Sequence, residues 1–98
     1  MTIDKKKNGD ELIIALDGTL DTTSAPELQS LLETEMESAQ SITFDFTNVN
    51  FISSFGLRVL LHANKTMEEK GGIKIVNTSA LVKEVFGVTG FSELLPLD

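Results

Sequence analysis

Apolar residues near the start of the chain predict two paired β-strands. The run Leu12–Leu16 is typical of a buried strand, and the pattern predicts a turn at Asp17-Gly18 after it. Residues 2–7 are predicted to pair with that run as an edge strand. The hairpin turn is predicted at Lys7–Asp10, because Asn-Gly is the strongest short signal for a hairpin.

A strict alternation of apolar and polar residues predicts a third strand within residues 41–51. Ile42, Phe44 and Phe46 point one way, whereas the threonines and the aspartate between them point the other way. The pattern fits a strand with one buried face, or a central strand whose polar positions lie near its end.

Helical spacing of apolar residues predicts a first helix within residues 22–40. Ser24 is predicted as its N-cap, Glu27 completes a capping box, and Pro26 lies in the first turn, where its missing N–H costs little. The apolar side chains at helical spacing are Leu28, Leu31, Leu32 and Met36.

A second helix is predicted over residues 56–70, where the spacing of apolar residues changes from that of a strand to that of a helix. It is predicted to end at Gly71-Gly72, because glycine readily adopts the left-handed conformation of a C-cap. Residues 73–77 are then predicted as a short strand.

The last part of the chain predicts a third helix and one further helical turn. The third helix is capped by Thr78 or Ser79 and closed by Gly87, and the added turn stops at Pro96. The side chains predicted to be buried on this helix are Leu81, Val82, Val85 and Phe86.

The order of elements is β-β-α-β-α-β-α, with the added helical turn at the end. Strands that alternate with helices favour parallel pairing with right-handed crossovers. The sequence therefore predicts one α/β domain over residues 1–98, with a mixed, mostly parallel sheet of four or five strands and three to four helices.

Composition excludes several kinds of site. The chain has no cysteine and a single histidine, His62, so it cannot form a disulfide, a thiolate metal site or a histidine-based metal or catalytic centre by itself. We find no nucleotide-binding loop and no catalytic set, and His62 is predicted to be a surface residue. We therefore expect no enzyme activity and no metal.

Net charge and hydropathy indicate what the protein binds and where it works. The net charge of −7 disfavours nucleic acid and anionic membrane surfaces, and suits a protein partner with a basic face. No apolar run is long enough to be a signal peptide or to span a bilayer. We therefore expect a cytoplasmic protein that does not insert directly into a membrane.

Ser54 lies where the third strand gives way to the second helix, and it has two interpretations. In one, its Oγ caps the helix by accepting a hydrogen bond from a backbone N–H. In the other, it accepts a phosphoryl group, which a helix N-terminus stabilises. Gly56 would then allow close approach, and Arg58, four residues on, could pair with the phosphate. The two interpretations are compatible.

Three further residues are candidates for this corner of the molecule. Asp21 and Asp45 are the carboxylates in a loop or strand that could approach it, although each is also explained by local hydrogen bonding. Phe55 is either an exposed anchor for a partner or a core side chain.

The order of elements and two motifs resemble the STAS domain family, and within it the single-domain anti-sigma factor antagonists of bacteria. The motifs are GTLDTTSAPEL after the second strand and NVNFISSFGLRVLL leading into the long helix. The family's motif at its switch reads Asp-Ser-Ser/Thr-Gly-Leu. Here Ser53 takes the aspartate position, Ser54 the phosphoacceptor position and Phe55 that of the following hydroxyl, while Arg58 stands where small residues are common.

The resemblance implies a regulatory function and a set of site residues. The unphosphorylated protein would bind an anti-sigma factor that is also a serine kinase and holds the ATP, so this chain itself would need no cofactor. Phosphorylation at Ser54 would break the complex, and a serine phosphatase would restore it. The partner-binding residues implied by the resemblance are Asp21, Thr22, Ser53, Ser54, Phe55, Gly56 and Arg58.

Three hypotheses remain open from the sequence. The first is the switched antagonist described above, in which a different kinase could act because Ser53 replaces the aspartate. The second is a scaffold subunit of another complex, such as a membrane transport ATPase, whose corner at residues 53–58 is never phosphorylated. The third is a small enzyme, which the lack of a catalytic set disfavours.

Overall fold

The computed structural model describes residues 1–93 and residue 95, and it begins with the predicted hairpin. β1 (Thr2–Asn8) pairs antiparallel with β2 (Glu11–Leu20), and Asn8 lies opposite Glu11. The two residues between the strands include Gly9, which has a φ of 65°. This left-handed conformation is the one that tight hairpin turns require, so the predicted hairpin is confirmed.

The predicted turn at Asp17-Gly18 is wrong, because β2 continues through both residues to Leu20. Pairing with the next strand shifts register between Ala15 and Asp17, and again between Gly18 and Thr19. Gly18 has a φ of 121°, which glycine adopts easily. The Asp-Gly pair therefore forms an irregularity inside a strand that remains hydrogen-bonded on both sides of it.

The sheet has four strands among the described residues, in the order β1-β2-β3-β4. β3 (Ser41–Ile52) runs parallel to β2 and to β4 (Ile73–Val76). The sheet is therefore mixed and mostly parallel, as predicted. The alternation in β3 is also confirmed, since Ile42, Phe44 and Phe46 are all buried.

The helix α1 (Ala25–Glu35) has the predicted core face, but its predicted capping box is wrong. Ser24 is helical in conformation and its side chain makes no capping hydrogen bond. Its Oγ instead donates to the carbonyl of Thr19 at 2.7 Å and accepts from the backbone N–H of Asp21 at 2.9 Å. The hydroxyl is therefore used to fix the loop between β2 and α1.

The helix α2 (Ser54–Met67) begins two residues before the predicted start and ends three residues before the predicted end. Gly72 has a φ of 80°, and its N–H donates to the carbonyl of Met67 at 3.0 Å. The N–H of Gly71 donates across to Gln40. The glycine pair thus closes the turn that follows the helix. It does not form the predicted C-cap directly at the helix end.

The helix α3 (Ala80–Thr89) is capped by Ser79, whose Oγ accepts from the N–H of Val82 at 3.2 Å. The predicted burial of Leu81 is wrong, since 52% of it is exposed. Gly87 lies inside the helix, and the left-handed C-cap is Gly90. A short 3₁₀ turn follows at Phe91–Glu93, and the predicted stop at Pro96 lies outside the described residues.

The helices cover one face of the sheet. Phe86 of α3 is buried with its ring centroid 6.4 Å from that of Phe46, on the same face as the other buried side chains of β3. The alternate positions Ile13 and Thr43 on the opposite face are only half-buried. Within residues 1–93, no helix has both the length and the hydropathy needed to span a membrane.

Candidate functional site

The parallel pairing of β2 and β3 brings two loops together at one edge of the sheet. Leu20 and Ile52 are paired, and the backbone N–H of Ser53 donates to the carbonyl of Leu20 at 2.8 Å. Asp21 and Ser53, which follow those paired residues, are therefore at the same edge. We refer to Asp21, Thr22 and residues 53–58 as the corner.

Ser53, and not Ser54, caps the helix at the corner. Ser53 has an extended backbone, and its Oγ accepts from the N–H of Gly56 at 3.5 Å. Ser54 is the first residue of α2 and is exposed. The prediction that Ser54 is the N-cap is wrong, because the extended backbone ends one residue earlier, at Ser53, and Ser54 is already helical. The exposed hydroxyl of Ser54 therefore has no capping role.

Gly56 is buried beneath the corner. A Cβ atom at this position would lie 2.7 Å from Cγ of Leu20 and 2.8 Å from Cγ1 of Ile52, closer than real Cβ contacts. Cγ of Leu20 is a branch point and Cγ1 of Ile52 is bonded directly to the branched Cβ, so neither atom can move aside easily. Glycine therefore allows the first turn of α2 to rest directly on the ends of β2 and β3.

Asp21 has its carboxylate turned toward its own loop. Its Oδ1 accepts from the N–H of Thr23 at 2.9 Å and from the N–H of Ser24 at 3.1 Å, and it lies 3.2 Å from the Oγ of Ser24, whose proton is donated to Thr19. The N–H groups of Ser24 and Thr23 stabilise the ionised form and hold the pKa of Asp21 below its ordinary value. Thr22, at the tip of this loop, is exposed.

Phe55 and Arg58 form the outer surface of the corner. Phe55 is 49% exposed, so the interpretation of this ring as an exposed side chain is confirmed. The guanidinium carbon of Arg58 lies 5.9 Å from the centre of the Phe55 ring, within the range of a cation–π contact. An exposed aromatic ring beside a cation is a common anchor in protein–protein interfaces.

Asp45 does not approach the corner. Its carboxylate accepts from the hydroxyl of Thr47 at 2.6 Å and from the side-chain amide of Asn77 at 3.1 Å. The Thr47 hydroxyl contributes most to holding the pKa of Asp45 below its ordinary value. Asp45 also precedes Ile52 by seven residues on an extended strand, a separation of roughly 20 Å.

The structure also brings together residues that sequence reasoning did not place in the site. A groove of about 320 Å³ lies between α1 and α2 next to the corner. His62, predicted to be a surface residue, is exposed and lines it. The sequence does contain a signal for the α2 side of this groove, since residues 55, 58, 59 and 62 recur at helical spacing and so share one face of the helix. The groove is lined by Ala25, Pro26, Gln29, Phe55, Arg58, Val59 and His62.

The exposed part of the corner combines three kinds of side-chain group. Among residues 1–93 and 95, no cluster of three or more histidine, aspartate or glutamate side chains is placed to hold a metal ion. What the corner offers is a hydroxyl on the first turn of a helix, an aromatic ring and a cation.

Comparison with known proteins gives a consistent result. The chain is 26% identical over 98 residues to the anti-sigma-B factor antagonist of Bacillus subtilis, covering 99% of this chain and 90% of that protein. The fold matches the anti-sigma factor antagonist SpoIIAA in its unphosphorylated form with a TM-score of 0.84 at 20% identity, over 99% of this chain and 88% of that one.

The fold also matches the phosphorylated form of SpoIIAA from Bacillus, with a TM-score of 0.76 at 19% identity over 99% of this chain and 91% of the other. The sequence itself matches the STAS domain over residues 2–98. The chain belongs to the STAS domain family.

Proposed function

We propose that this protein is an anti-sigma factor antagonist of the bacterial cytoplasm that is switched at Ser54. The observation that carries the proposal is the exposed hydroxyl of Ser54 on the first turn of α2, beside the half-exposed ring of Phe55. The names of the relatives support the same function, since the Bacillus subtilis protein is an anti-sigma-B factor antagonist.

The position of Ser54 suits a phosphate. The first turn of a helix carries unpaired N–H groups and a partial positive charge, so a phosphate there stabilises the helix. It would add about −1.5 to −2 charges to an exposed surface. The fold would persist while the charge of the corner changed, and these are the properties of a binding switch.

The partners in this proposal are proteins. The unphosphorylated corner binds an anti-sigma factor that is also a serine kinase and supplies the ATP, and a serine phosphatase removes the phosphate. Asp21 keeps the β2–α1 loop in place through its hydrogen bonds to Thr23 and Ser24. The net charge of −7 favours a basic face on the partner over nucleic acid.

Mass spectrometry of the protein from its own cells tests the switch directly. We expect a species heavier by one phosphate, with peptide mapping that places the group on Ser54. If the mapped phosphate lies on another residue, or none is found during growth and stress, the proposed switch is refuted.

Binding to the cognate anti-sigma factor tests the interface. We expect Ser54→Asp to weaken that binding at least about tenfold, because it places a charge in the interface, and Ser54→Ala to retain it. Ser30→Asp is the matched control, since Ser30 is an exposed serine on α1 outside the corner. If Ser30→Asp weakens binding equally, the effect comes from net charge and the corner is not the interface.

A constitutive scaffold in another complex, such as a membrane transport ATPase, is the second candidate function. It is favoured by Ser53, which stands at the family's aspartate position and is used as a helix cap. In that case the protein co-purifies with an ATPase, and Ser54 stays unmodified.

A further inference from the structure

The groove beside the corner continues along the seam between α1 and α2. A second hollow of about 360 Å³ adjoins the first, and His62 lines both. Together they form a channel, the α1–α2 groove, that starts at Phe55 and runs toward the C-terminal ends of the two helices. The second hollow is lined by Glu33, Met36, Glu37, His62, Thr66 and Lys70.

The two halves of the α1–α2 groove carry opposite charge. In the half next to the corner, Arg58 is the charged lining residue, and no carboxylate lines it among the described residues. In the far half, Glu33 and Glu37 line the groove. Lys70 also lines that half, but its ammonium group is bound to backbone carbonyls, one of them that of Met36 at 2.6 Å.

Apolar side chains line the groove between and beside these charges. Ala25 and Val59 are buried where they line the half next to the corner, and Met36 is buried in the far half. Phe55 adds an exposed ring at the mouth. The groove therefore presents an apolar surface with a cation at one end and carboxylates at the other.

This pattern of charge specifies the chemistry of a complementary segment. Arg58 and Thr66, which line the two halves, are eight residues apart on α2 and so about 12 Å apart along its axis. A helix that lies along the groove would match it with a carboxylate and a cation separated by about two turns. An apolar side chain between them would contact Val59 and Met36.

We propose that the α1–α2 groove binds an amphipathic helix of the partner, with its carboxylate at Arg58 and its cation at Glu33 and Glu37. The identity of the partner as an anti-sigma factor rests on the function proposed above. The charge pattern of the bound helix rests on the groove alone.

The same groove links docking to the state of Ser54. Ser54 and Arg58 are four residues apart on α2, the spacing at which side chains on one helix face meet. A phosphate on Ser54 competes with the partner's carboxylate for the guanidinium of Arg58, because both are anions that arginine binds by paired hydrogen bonds. Phosphorylation therefore removes the cation that the partner needs.

Synthetic peptides test the charge pattern without knowledge of the partner. The probe is a capped, alanine-based helical peptide of about 16 residues, with Glu and Lys about eight residues apart and Leu between them. Matched peptides carry Glu at both positions, Lys at both positions or Gln at both positions. Binding is followed through the backbone amide signals of the isotope-labelled, full-length, unphosphorylated protein.

We expect the Glu/Lys peptide to shift the amides of Phe55, Arg58 and His62, and to bind about fivefold more tightly than the Gln/Gln peptide, since two exposed ion pairs contribute. In Arg58→Glu the Lys/Lys peptide should become the tightest binder. Lys83→Glu, a charge reversal on α3 outside the groove, should preserve the original order.

Two results would overturn the proposal. One is the absence of groove shifts at millimolar peptide, and the other is equal affinity for all four peptides. Neither result bears on whether Ser54 is phosphorylated in cells, so failure of the groove and failure of the antagonist function can be told apart.

The competition for Arg58 is tested in the phosphorylated protein made with phosphoserine at position 54. We expect the second pKa of the phosphate, measured by phosphorus NMR, to be about half a unit lower than in the same protein carrying Arg58→Gln. Lys83→Gln should leave that pKa unchanged. Equal phosphate pKa values with and without Arg58 would show that the guanidinium does not bind the phosphate.

Discussion

The two ends of the parallel strands use their polar side chains in opposite ways. At the amino ends, where α1 and α2 terminate, Lys70 donates to the carbonyls of Met36, Glu37 and Ala39 at 2.6–3.2 Å. At the carboxyl ends, where the helices begin, Ser54, Phe55 and Arg58 are exposed. Lys70 thus joins the ends of two helices at the amino ends, whereas at the carboxyl ends Asp21, Ser24 and Ser53 fix only their own loops and the outer side chains face solvent.

The direction of the helices explains this division. A helix C-terminus leaves backbone carbonyls unpaired, and a lysine can satisfy them from within the protein. A helix N-terminus leaves N–H groups unpaired and attracts anions. A phosphate switch therefore suits the carboxyl ends of the strands, and it can operate there without disturbing the contacts that stabilise the opposite end.

The largest effect is expected from Gly56→Ala, which tests whether the exposed corner rests on a tightly packed base. The added methyl group would lie within 2.9 Å of Leu20 and Ile52 side-chain atoms. Overpacking of this kind typically costs about 1–3 kcal/mol. We expect the free energy of unfolding, measured in urea, to fall by about 2 kcal/mol.

Gly87→Ala is the matched control for that substitution. Gly87 lies in α3, and a Cβ atom there would meet nothing within 4 Å. Alanine should therefore stabilise the protein by about 0.5–1 kcal/mol, because it restricts the unfolded chain and favours the helix. If both substitutions change stability in the same direction, packing under the corner is not what requires glycine at position 56.

Substitution of one cation at each end of the parallel strands tests whether the two ends contribute differently to stability. Lys70→Met leaves three carbonyls without their donor, and we expect a loss of about 1 kcal/mol, since hydrogen bonds to charged groups contribute about 1.5–3 kcal/mol and this lysine is partly exposed. Arg58→Met should change the free energy of unfolding by less than about 0.5 kcal/mol. A larger loss for Arg58→Met would reverse the assignment of stability to the amino ends.

Much of the fold follows from local patterns along the chain. The alternation at Ile42, Phe44 and Phe46 predicts β3 and its buried face, and the Asn-Gly pair predicts the hairpin. The corner is also predicted, because Ser54 and Arg58 come immediately after the strand pattern gives way to a helical one. These features depend on residues close together in sequence.

The errors arise where a contact outside the predicted element decides the outcome. Ser24 has the sequence context of an N-cap, but its hydroxyl is hydrogen-bonded to the Thr19 carbonyl and the Asp21 N–H instead. Asp17-Gly18 has the composition of a turn, but pairing with β3 keeps it in a strand. The α1–α2 groove needs two helices to be packed together, so sequence reasoning could find only its α2 side.

The ion pair at the amino ends should make stability depend on pH. Glu35 is 7% exposed, and Nζ of Lys5 lies 2.7 Å from its carboxylate. The hydrogen bond from Lys5 holds the pKa of Glu35 below its ordinary value of 4.5. A lowered pKa means that the ionised form stabilises the fold above about pH 4.5, and that this contribution is lost as the pH falls through the folded-state pKa.

We therefore expect Glu35→Gln to be less stable than the wild type near pH 7, with the difference shrinking below about pH 4.5. Urea unfolding over that pH range measures it. Asp21 and Asp45 also have lowered pKa values and are present in both proteins, so the difference isolates Glu35. Lys5→Met should reduce the same pH dependence, and a difference that stays constant with pH would rule out this ion pair as its source.

The smallest effect separates the two serines of the corner. Ser53→Ala removes the N-cap, which typically costs about 0.5–2 kcal/mol, and the long 3.5 Å bond to the N–H of Gly56 places the expected loss near 0.5 kcal/mol. Ser54→Ala should leave the free energy of unfolding nearly unchanged, since this exposed residue is the first of the helix and alanine favours helices. Urea unfolding of both variants under the same conditions shows which of the two serines contributes more to the free energy of unfolding. A greater loss for Ser54→Ala would make Ser54 the structural serine, and its hydroxyl would then be too important to the fold to serve as a switch that is repeatedly modified.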